Sequence, residues 1–252
     1  MIYSDKGYIG CFEMKDKEVG KRQLAEYVND LKSAGHKRII APINGDTWHT
    51  YRLVSWSEDE PFFPMEPQNP LWYNEVLVEA GFKPLKKYSS GKFPLGNIES
   101  TKNDKIKIRN FNKAESRHDL ERIYELSLQG FDENFLYNDI SKDEFLKLYQ
   151  PLLPMLDEEL MIFAVKDGKT AGFIFTFLSG ENLILKTMAV LPEFRSSGIG
   201  AALMNHVLMT GQEKGLRTAV AALMSEENYS QRIVGKYGSK KFREYTLYSL
   251  EV

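Results

Sequence analysis

The sequence has a single cysteine and little histidine. Cys11 stands alone, and the four histidines show no ligand spacing such as H-x-x-x-H. A lone cysteine excludes an internal disulfide, and the two scarcities together exclude a zinc site rich in cysteine. We therefore predict a protein that uses no metal ion and that suits the reducing cytoplasm.

The sequence also lacks an excess of basic charge and a long apolar run. Its 33 Lys and Arg residues are matched by 35 Asp and Glu residues, for a formal net charge of -2, whereas nucleic-acid-binding domains carry a basic excess. No stretch approaches the ~20 apolar residues of a membrane span, and the amino terminus lacks the pattern of a secretory signal. We predict neither nucleic acid nor membrane as a partner.

Enough apolar sequence is present for a folded core. The chain has 252 residues, of which 42% are hydrophobic, so it can form one large domain or two small ones. Residues 1–90 predict, in order, strand 7–14, helix 19–34, strand 38–43, an irregular segment 44–68, helix 70–80 and strand 83–88.

A polar stretch follows this first part of the chain. Residues 89–105, SSGKFPLGNIESTKNDK, are punctuated by Gly and Pro and predict a linker. We place the boundaries so that residues 1–90 form a first unit, 91–104 the linker and 105–252 a second unit.

The second unit has the pattern of a mixed α/β domain. From Ile106 its segments follow the order β-α-α-β-β-β-α-β-α-β, and Asp167-Gly168 and Ser179-Gly180 suit hairpin turns. Hairpins followed by a β-α-β crossover predict a mixed sheet with helices on both faces. Both units contain the order helix, glycine, strand, helix, strand, which suggests a duplicated half-fold as a hypothesis.

The segment Leu191–Met204, LPEFRSSGIGAALM, places glycines between an apolar strand and an amphipathic helix. A phosphate loop of nucleotide hydrolases ends in Gly-Lys-Ser/Thr, but Gly200 is followed by Ala201. A dinucleotide fingerprint needs a third glycine where Leu203 stands. The alternative to any binding loop is an ordinary strand-turn-helix junction in which Gly198 only relieves crowding.

A third pattern uses all of these residues. Val190-x-Pro192-x-x-Arg195-x-x-Gly198-x-Gly200 resembles the acetyl-CoA-binding motif of the GNAT N-acyltransferase superfamily, and the order of elements from 106 to 252 resembles that fold throughout. Residues 1–90 resemble a smaller, half-GNAT-like unit. The fold class implied by the resemblance is α/β: a GNAT-like domain with a mixed sheet, preceded by the half-GNAT-like unit.

The resemblance implies an acetyl-CoA site built mainly from backbone. Glycines without Cβ let a diphosphate approach the chain, and amides at the start of a helix donate to it with support from the helix dipole. In the family, the strand before the motif leaves its neighbour, and its free backbone groups pair with the pantetheine amides and polarise the thioester carbonyl. The coenzyme-binding residues so implied are Met188, Ala189, Val190, Arg195, Ser196, Ser197, Gly198, Ile199, Gly200, Ala201 and Asn228.

Acetyl transfer to an amine needs a route for the amine proton and a proton donor for the departing thiolate. In many GNAT enzymes the donor is a tyrosine seven residues after the asparagine of the last helix, but here Gly235 stands seven residues after Asn228. Tyr237 is the catalytic candidate that remains, with a packing tyrosine as the alternative. The charged candidates for the base, each of which also suits a solvated surface charge, are Asp132, Glu133, Glu181 and Lys186.

Two histidines have other interpretations. His206 falls near the apolar stripe of the helix after the motif, as a hydrogen-bonded packing residue does. His49 lies in Asp46–Arg52, DTWHTYR, which combines an imidazole, aromatic rings and a guanidinium. This segment either walls a pocket for an amine or acyl group or packs, with its aromatic neighbours, between the units.

The function implied by the resemblance is an acetyl-CoA-dependent N-acetyltransferase acting by direct attack of an amine, carried by a small molecule or a peptide, on the thioester. One alternative is a non-catalytic sensor that binds acyl-CoA and contacts a partner protein. Another is transfer of a longer acyl chain, whose tunnel would be lined or blocked by Phe173, Phe175 and Phe177. The oligomeric state stays open, with a homodimer as one option.

Overall fold

The computed structural model of this chain describes residues 1–96, 98, 105–226 and 229–252, without the side chains of 229, 230 and 232. Much of the predicted linker and Asn228 lie outside the described residues. Two compact units are formed: unit 1 comprises Met1–Gly91, Leu223–Gly235 and Lys240–Val252, and unit 2 comprises Lys92–Ala222 and Lys236–Ser239. The boundaries at 90 and 105 stay a prediction, and the end of the chain belongs to unit 1.

The first part of the chain alternates short strands and helices. In chain order these elements are β1 (Ile2–Tyr3), β2 (Ile9–Gly10), α1 (Lys17–Ser33), β3 (Arg38–Ala41), β4 (Leu53–Ser57), α2 (Trp72–Glu79) and β5 (Lys83–Pro94). Helix α1 begins after Asp16, whose carboxylate accepts a hydrogen bond from the amide of Val19 at 2.8 Å. It ends before Gly35, which has a positive φ of 91°, as a left-handed residue after a helix does.

The second part follows the order of elements predicted from Ile106 onward. Its elements are β6 (Lys107–Asn110), α3 (Ser116–Gly130), α4 (Lys142–Tyr149), β7 (Met161–Lys166), β8 (Lys169–Ser179), β9 (Asn182–Val190), α5 (Ile199–Glu213), β10 (Thr218–Ser225), α6 (Tyr229–Gly235) and β11 (Lys240–Glu251). Short 3-10 helices cover Lys113–Glu115, Gln150–Met155 and Pro192–Phe194. None of the helices in the described ranges is long and apolar enough to cross a membrane.

The sheet of unit 1 is built around β11. This strand pairs antiparallel with β3 through Tyr248–Glu251 and with β4 through Arg243–Thr246. Strand β4 lies inside the segment 44–68, whose predicted irregularity is therefore wrong for these five residues. Leu53 and Val54 are buried, so packing stabilises this strand. The sequence pattern does not predict it because the strand is short and lies close to Pro and acidic residues.

Strand β5 is longer than predicted. The linker was expected from residue 89, whereas the strand continues to Pro94. Ser89, Ser90 and Phe93 are all buried, and the Ser90 hydroxyl hydrogen-bonds the Tyr245 hydroxyl at 2.8 Å. Buried serines that find hydrogen-bond partners fit a strand as well as apolar residues do, and a polar composition therefore misled the prediction.

Unit 2 is a mixed sheet with helices on both faces, as predicted. Strands β6 to β9 pair antiparallel in chain order, and β10 pairs parallel with β9. A Cβ on Gly172 would lie 3.3 Å from the Ile199 side chain of α5, and one on Gly130 of α3 would lie 2.8 Å from the Ala189 Cβ. Because neighbouring positions of a sheet point to opposite faces, α5 and α3 cover opposite sides.

Candidate acyl-CoA site

Strand β9 loses its parallel partner halfway along its length. The pairing with β10 runs from Asn182↔Thr218 to Leu185↔Ala221 and ends there among the residues that the structure describes. Strand β9 continues for five more residues, Lys186–Val190. We call the β10-facing backbone of these five residues the open edge.

A β-bulge lies where the pairing ends. On the opposite side of β9, Phe175 pairs with Thr187 but Thr176 pairs with Leu185, so Lys186 is the extra residue. A bulge bends its strand and strengthens the local twist. This bend accounts for the departure of β9 from β10 at Leu185.

The backbone of the open edge alternates in direction. The Leu191 amide donates to the Ala171 carbonyl at 2.9 Å on the β8 side, and in an antiparallel ladder every second residue makes such bonds. The Ala189 amide therefore faces β8, opposite Phe173. The amides of Met188 and Val190 face the open edge, so two of the three strand residues predicted to bind the coenzyme present an amide there.

The loop after β9 is held in a strained conformation. Ser196 has a φ of 63° and Gly198 a φ of 88°, and a left-handed backbone is uncommon for a residue other than glycine. The Ser197 hydroxyl donates to the Phe194 carbonyl at 2.6 Å, and the Ser197 amide donates to the same carbonyl at 3.3 Å. The loop is thereby fixed by its own hydrogen bonds, and the Ser197 amide is already used.

Helix α5 starts directly after this loop. The Ala202 amide donates to the Gly198 carbonyl at 2.9 Å, which closes the first helical turn. The amides from Gly198 to Ala201 precede any carbonyl acceptor within the helix, and Gly198 supplies no side-chain cap. These amides and the positive end of the helix dipole form a site that suits an anion such as a diphosphate.

The start of α5 lies beside the open edge. A Cβ on Gly200 would stand 3.7 Å from the Met188 Cε and 4.0 Å from a Val190 methyl group. The structure therefore brings together Met188, Val190 and the first turn of α5. Glycine at position 200 keeps the helix backbone uncovered on this side.

Arg195 lies on the same loop and makes an ion pair. Its Nη1 donates to Glu133 Oε2 at 2.8 Å, and the side chains are 42% and 76% exposed. Such an exposed pair contributes little to stability. Glu133, a candidate base from the sequence, thus contacts the predicted coenzyme loop, and it would compete with a phosphate for the guanidinium.

Tyr237 lies after α6 and belongs to unit 2. Its ring stacks on Phe93 with 5.4 Å between centroids, so the packing role is observed directly. Burial raises the pKa of its hydroxyl, which keeps the proton in place at neutral pH. Asn228, which was expected to bind the coenzyme, lies outside the described residues.

His206 and His49 have different environments. Burial lowers the pKa of His206 on α5, so its imidazole is neutral near pH 7, as expected for a packing residue. In unit 1, His49 Nδ1 lies 2.8 Å from Asp46 Oδ1, and the same carboxylate oxygen accepts the amides of Trp48 and His49. Among the described residues, no group of three or more His, Cys, Asp or Glu side chains is arranged to hold a metal ion.

Part of the chain matches a known protein family. The model of the acetyltransferase (GNAT) family matches residues 120–238, which include the open edge, the loop and α5. The matched region, which is just under half of the chain, resembles a GNAT acetyltransferase domain. No curated protein sequence matches the chain.

Solved structures resemble this chain over nearly its whole length. A GCN5-related N-acetyltransferase from Sphaerobacter thermophilus is 14% identical with a TM-score of 0.62, and the alignment covers 92% of this chain but only 66% of that protein. A tandem GNAT protein from the clavulanic acid biosynthesis pathway is 11% identical with a TM-score of 0.56, covering 94% of this chain and 71% of that one. A GCN5-related N-acetyltransferase from Kribbella flavida is 14% identical with a TM-score of 0.51, covering 93% and 76%.

These structural matches concern the fold alone, because the identities are low. The match to a tandem GNAT protein extends over the first part of this chain as well as the second. It fits the half-GNAT-like unit expected from the order of elements in residues 1–90. The mixed α/β fold class and the GNAT resemblance are both confirmed.

Two features of the candidate site were not predicted from the sequence. The bulge at Lys186 interrupts an apolar run, LILKTMAV, with one lysine, and a single polar residue in a strand does not by itself indicate a bulge. The contact between Arg195 and Glu133 joins residues 62 positions apart. Only the placement of the α3–α4 segment beside the loop reveals it.

Proposed function

We propose that the protein is an acetyl-CoA-dependent N-acetyltransferase that acts on an amine of a small molecule or peptide. The observation that carries the proposal is the open edge, which leads directly into the unpaired amides at the start of α5. A peptide-like pantetheine arm and a diphosphate need these two kinds of donor, in this order along the chain.

The residues present fit the coenzyme. The amides of Met188 and Val190 would pair with the pantetheine arm, and the amides from Gly198 to Ala201 would hold the diphosphate. Bound acetyl-CoA supplies an acyl group that an amine can attack. An open-edge amide aimed at the carbonyl oxygen stabilises the negative charge that develops there, an effect of roughly 3 kcal/mol for one such donor.

Proton transfer is assigned within the same proposal. The amine attacks the thioester carbon directly, a C–N bond replaces the C–S bond, and the amine loses a proton while the thiolate gains one. Tyr237 is the proposed proton donor to the thiolate, because a tyrosine hydroxyl is protonated at neutral pH. Burial raises its pKa and makes it a weaker acid, so the transfer depends on close approach of the hydroxyl to the sulfur. The rest of the rate enhancement comes from holding the amine and the thioester close together and correctly oriented.

The test is an acetylation assay with purified protein. Acetyl-CoA is incubated with a panel of amines that includes polyamines, amino sugars, amino acids and short peptides, and free thiol is measured together with acetylated product by mass spectrometry. Amine-dependent release of one thiol per acetylated product supports the proposal. Tight binding of acetyl-CoA by calorimetry without thiol release from any amine would favour a sensor, and no binding at all would refute the coenzyme site itself.

A further inference from the structure

In its described residues, unit 1 buries one more positive charge than negative charge. Its buried charged residues, among those that the structure describes, are Arg52, Glu66 and Arg243. Arg243 Nη1 donates to Glu66 Oε2 at 2.7 Å, and both side chains are fully buried. The Tyr245 hydroxyl donates to the other oxygen of Glu66. Glu66 is therefore committed to Arg243, and Arg52 has no buried carboxylate as a partner within the described ranges.

The hydrogen bonds of Arg52 leave most of its donors unused. The residue is 8% exposed, and its Nη1 donates to the Leu223 carbonyl at the long distance of 3.4 Å. Its Nε is buried and has no hydrogen-bond partner in the described part of the chain. A guanidinium carries five N–H donors in a planar fork that matches a carboxylate. A buried cation of this kind is costly unless a counter-ion meets it.

Two tyrosine rings hold the guanidinium in place. Arg52 Cζ lies 4.1 Å from the ring centroid of Tyr51 and 4.1 Å from that of Tyr88. The two rings are 5.7 Å apart and inclined at 84°, so they form a corner around the guanidinium. Cation–π attraction fixes the side chain in this corner, which lowers the ordering cost of binding an anion.

The backbone is strained at both residues joined by the hydrogen bond from the Arg52 side chain to the Leu223 carbonyl. Arg52 has a φ of 72° and Leu223 a φ of 56°, in the left-handed region that such residues rarely adopt. The conformations are held by neighbours: the Arg52 amide donates to the Pro42 carbonyl at 2.9 Å, and the Leu223 amide donates to the Ser90 hydroxyl at 3.0 Å. Strained residues of this kind gather at binding sites, where geometry is fixed at the expense of stability.

We propose that Arg52, in the corner formed by Tyr51 and Tyr88, binds the carboxylate group of a small molecule. A carboxylate is planar and singly charged, so it matches both the fork and the single uncompensated charge. A phosphate would bring a second negative charge, and Arg243 is already committed to Glu66. The carboxylate belongs either to the acceptor amine, in which case the assignment rests on the proposed function, or to a separate ligand.

The first experiment compares two arginine variants without any ligand. Arg52→Met removes an unpaired charge, so the melting temperature is expected to stay unchanged or to rise. Arg243→Met leaves Glu66 buried and unpaired, and a fall of at least about 5 °C is expected for a chain of this size. A fall in Arg52→Met as large as that in Arg243→Met would make Arg52 a structural residue and overturn the proposal.

The second experiment measures binding to the wild-type chain and to Arg52→Met and Arg52→Lys. The probes are 4-aminobutyrate, glutarate and inorganic phosphate at equal ionic strength, with calorimetry as the readout. At least one carboxylate is expected to bind saturably, with affinity at least tenfold weaker in both variants because lysine keeps the charge but loses the fork. Binding of neither carboxylate to the wild type, or tighter binding of phosphate, would overturn the proposal.

The third experiment identifies the source of the carboxylate. If the group belongs to the acceptor, 4-aminobutyrate is acetylated with a KM at least tenfold below that of butylamine, and Arg52→Met removes this difference without changing the KM for acetyl-CoA. Equal KM values, with glutarate still bound through Arg52, assign the site to a separate ligand. Glutarate binding in the absence of any acetylation refutes the proposed function and leaves the carboxylate site supported.

Discussion

At the scale of single residues, Gly198 is the strictest requirement of the proposed coenzyme site. Its φ of 88° favours glycine, and the space beside its Cα is where a diphosphate would approach. Gly198→Glu adds a side chain and a negative charge at this point. We expect the affinity for acetyl-CoA to fall by about 100-fold or more, equivalent to about 2.7 kcal/mol, as measured by calorimetry.

Gly168→Glu is the matched control for this substitution. Gly168 has a φ of 76° in the turn between β7 and β8, and nothing lies within 4 Å of its missing Cβ. The control therefore adds the same charge and a similar strain away from the loop, and acetyl-CoA should bind to it as to the wild type. Equal affinity in Gly198→Glu and Gly168→Glu would contradict the assignment of the diphosphate to this loop.

Asp119 gives a prediction about acid stability. Burial by itself would raise its pKa, but two hydrogen bonds of 2.8 Å from Arg109 and one from the Asn112 amide outweigh burial and lower the pKa. A lowered pKa stabilises the fold at pH values above the pKa of Asp in the unfolded chain, about 3.9. This stabilisation is lost as the pH falls through the pKa of Asp119 in the folded protein.

Asp119→Asn should therefore destabilise the protein at pH 7. The expected loss is about 2 kcal/mol, which is less than for a fully buried ion pair because Arg109 is partly exposed. The variant should also lose less of its remaining stability than the wild type as pH falls below about 4. Urea unfolding at several pH values measures both effects, and Asp59→Asn, at an exposed position, is the control. Parallel pH profiles of the wild type and Asp119→Asn would refute this account.

At the scale of elements, the two sides of β9 should tolerate proline differently. The Val190 amide faces the open edge, whereas the Ala189 amide faces β8. Proline removes an amide and is tolerated in a strand where that amide makes no ladder bond. Val190→Pro should therefore fold, with a loss of acetyl-CoA affinity of about tenfold, which is the effect of about 1.4 kcal/mol for one lost hydrogen bond.

Ala189→Pro should instead destabilise the domain, by about 3 kcal/mol or more, since a ladder bond to β8 is lost. Circular dichroism melting of the two variants, with calorimetry of the one that folds, measures the contrast. Equal destabilisation by both substitutions would mean that the Val190 amide is also used within the sheet, and the open edge would then have one donor fewer.

The elements themselves were predictable where pattern and packing agree. Helix α5, the hairpin turn at Asp167-Gly168 and the order from β6 to β11 follow from apolar periodicity and turn chemistry. Strand β4 was not predictable because it is short and lies beside acidic residues. The end of β5 was not predictable because Ser89 and Ser90 resemble linker residues, and their partners Gln231 and Tyr245 are distant in the sequence. The bulge at Lys186 depends on the register of β8 against β9, which a single sequence does not specify.

The sequence also predicted the two sites to different extents at the scale of the whole molecule. The proposed coenzyme site lies, apart from Asn228, in one continuous stretch, 188–201, so its glycines and strand residues could be recognised together. The Arg52 corner draws on Tyr51, Tyr88 and Leu223, which come from three separate parts of the chain. The DTWHTYR segment indicated only an arginine among aromatic residues. Only the folded chain shows that this arginine is buried without a carboxylate partner in the described residues.

Coenzyme binding should stabilise the whole molecule against unfolding, and it should slow amide hydrogen exchange in one region. At a concentration 100 times the dissociation constant, acetyl-CoA adds about 2.7 kcal/mol of stability, which raises the melting temperature by about 5–10 °C for a chain of this size. Hydrogen exchange should slow most at Met188, Val190 and Gly198–Ala201, whose amides gain partners.

The amides of Ala189 and Ser197 provide the internal comparison, because both are already bonded within the protein. Their exchange should change much less than that of their neighbours, and the turn at Gly168 should not change at all. Amide-resolved hydrogen exchange with and without acetyl-CoA measures this alternation. A uniform slowing across unit 2 would mean general stiffening, and protection confined to residues outside 186–201 would move the coenzyme away from the open edge.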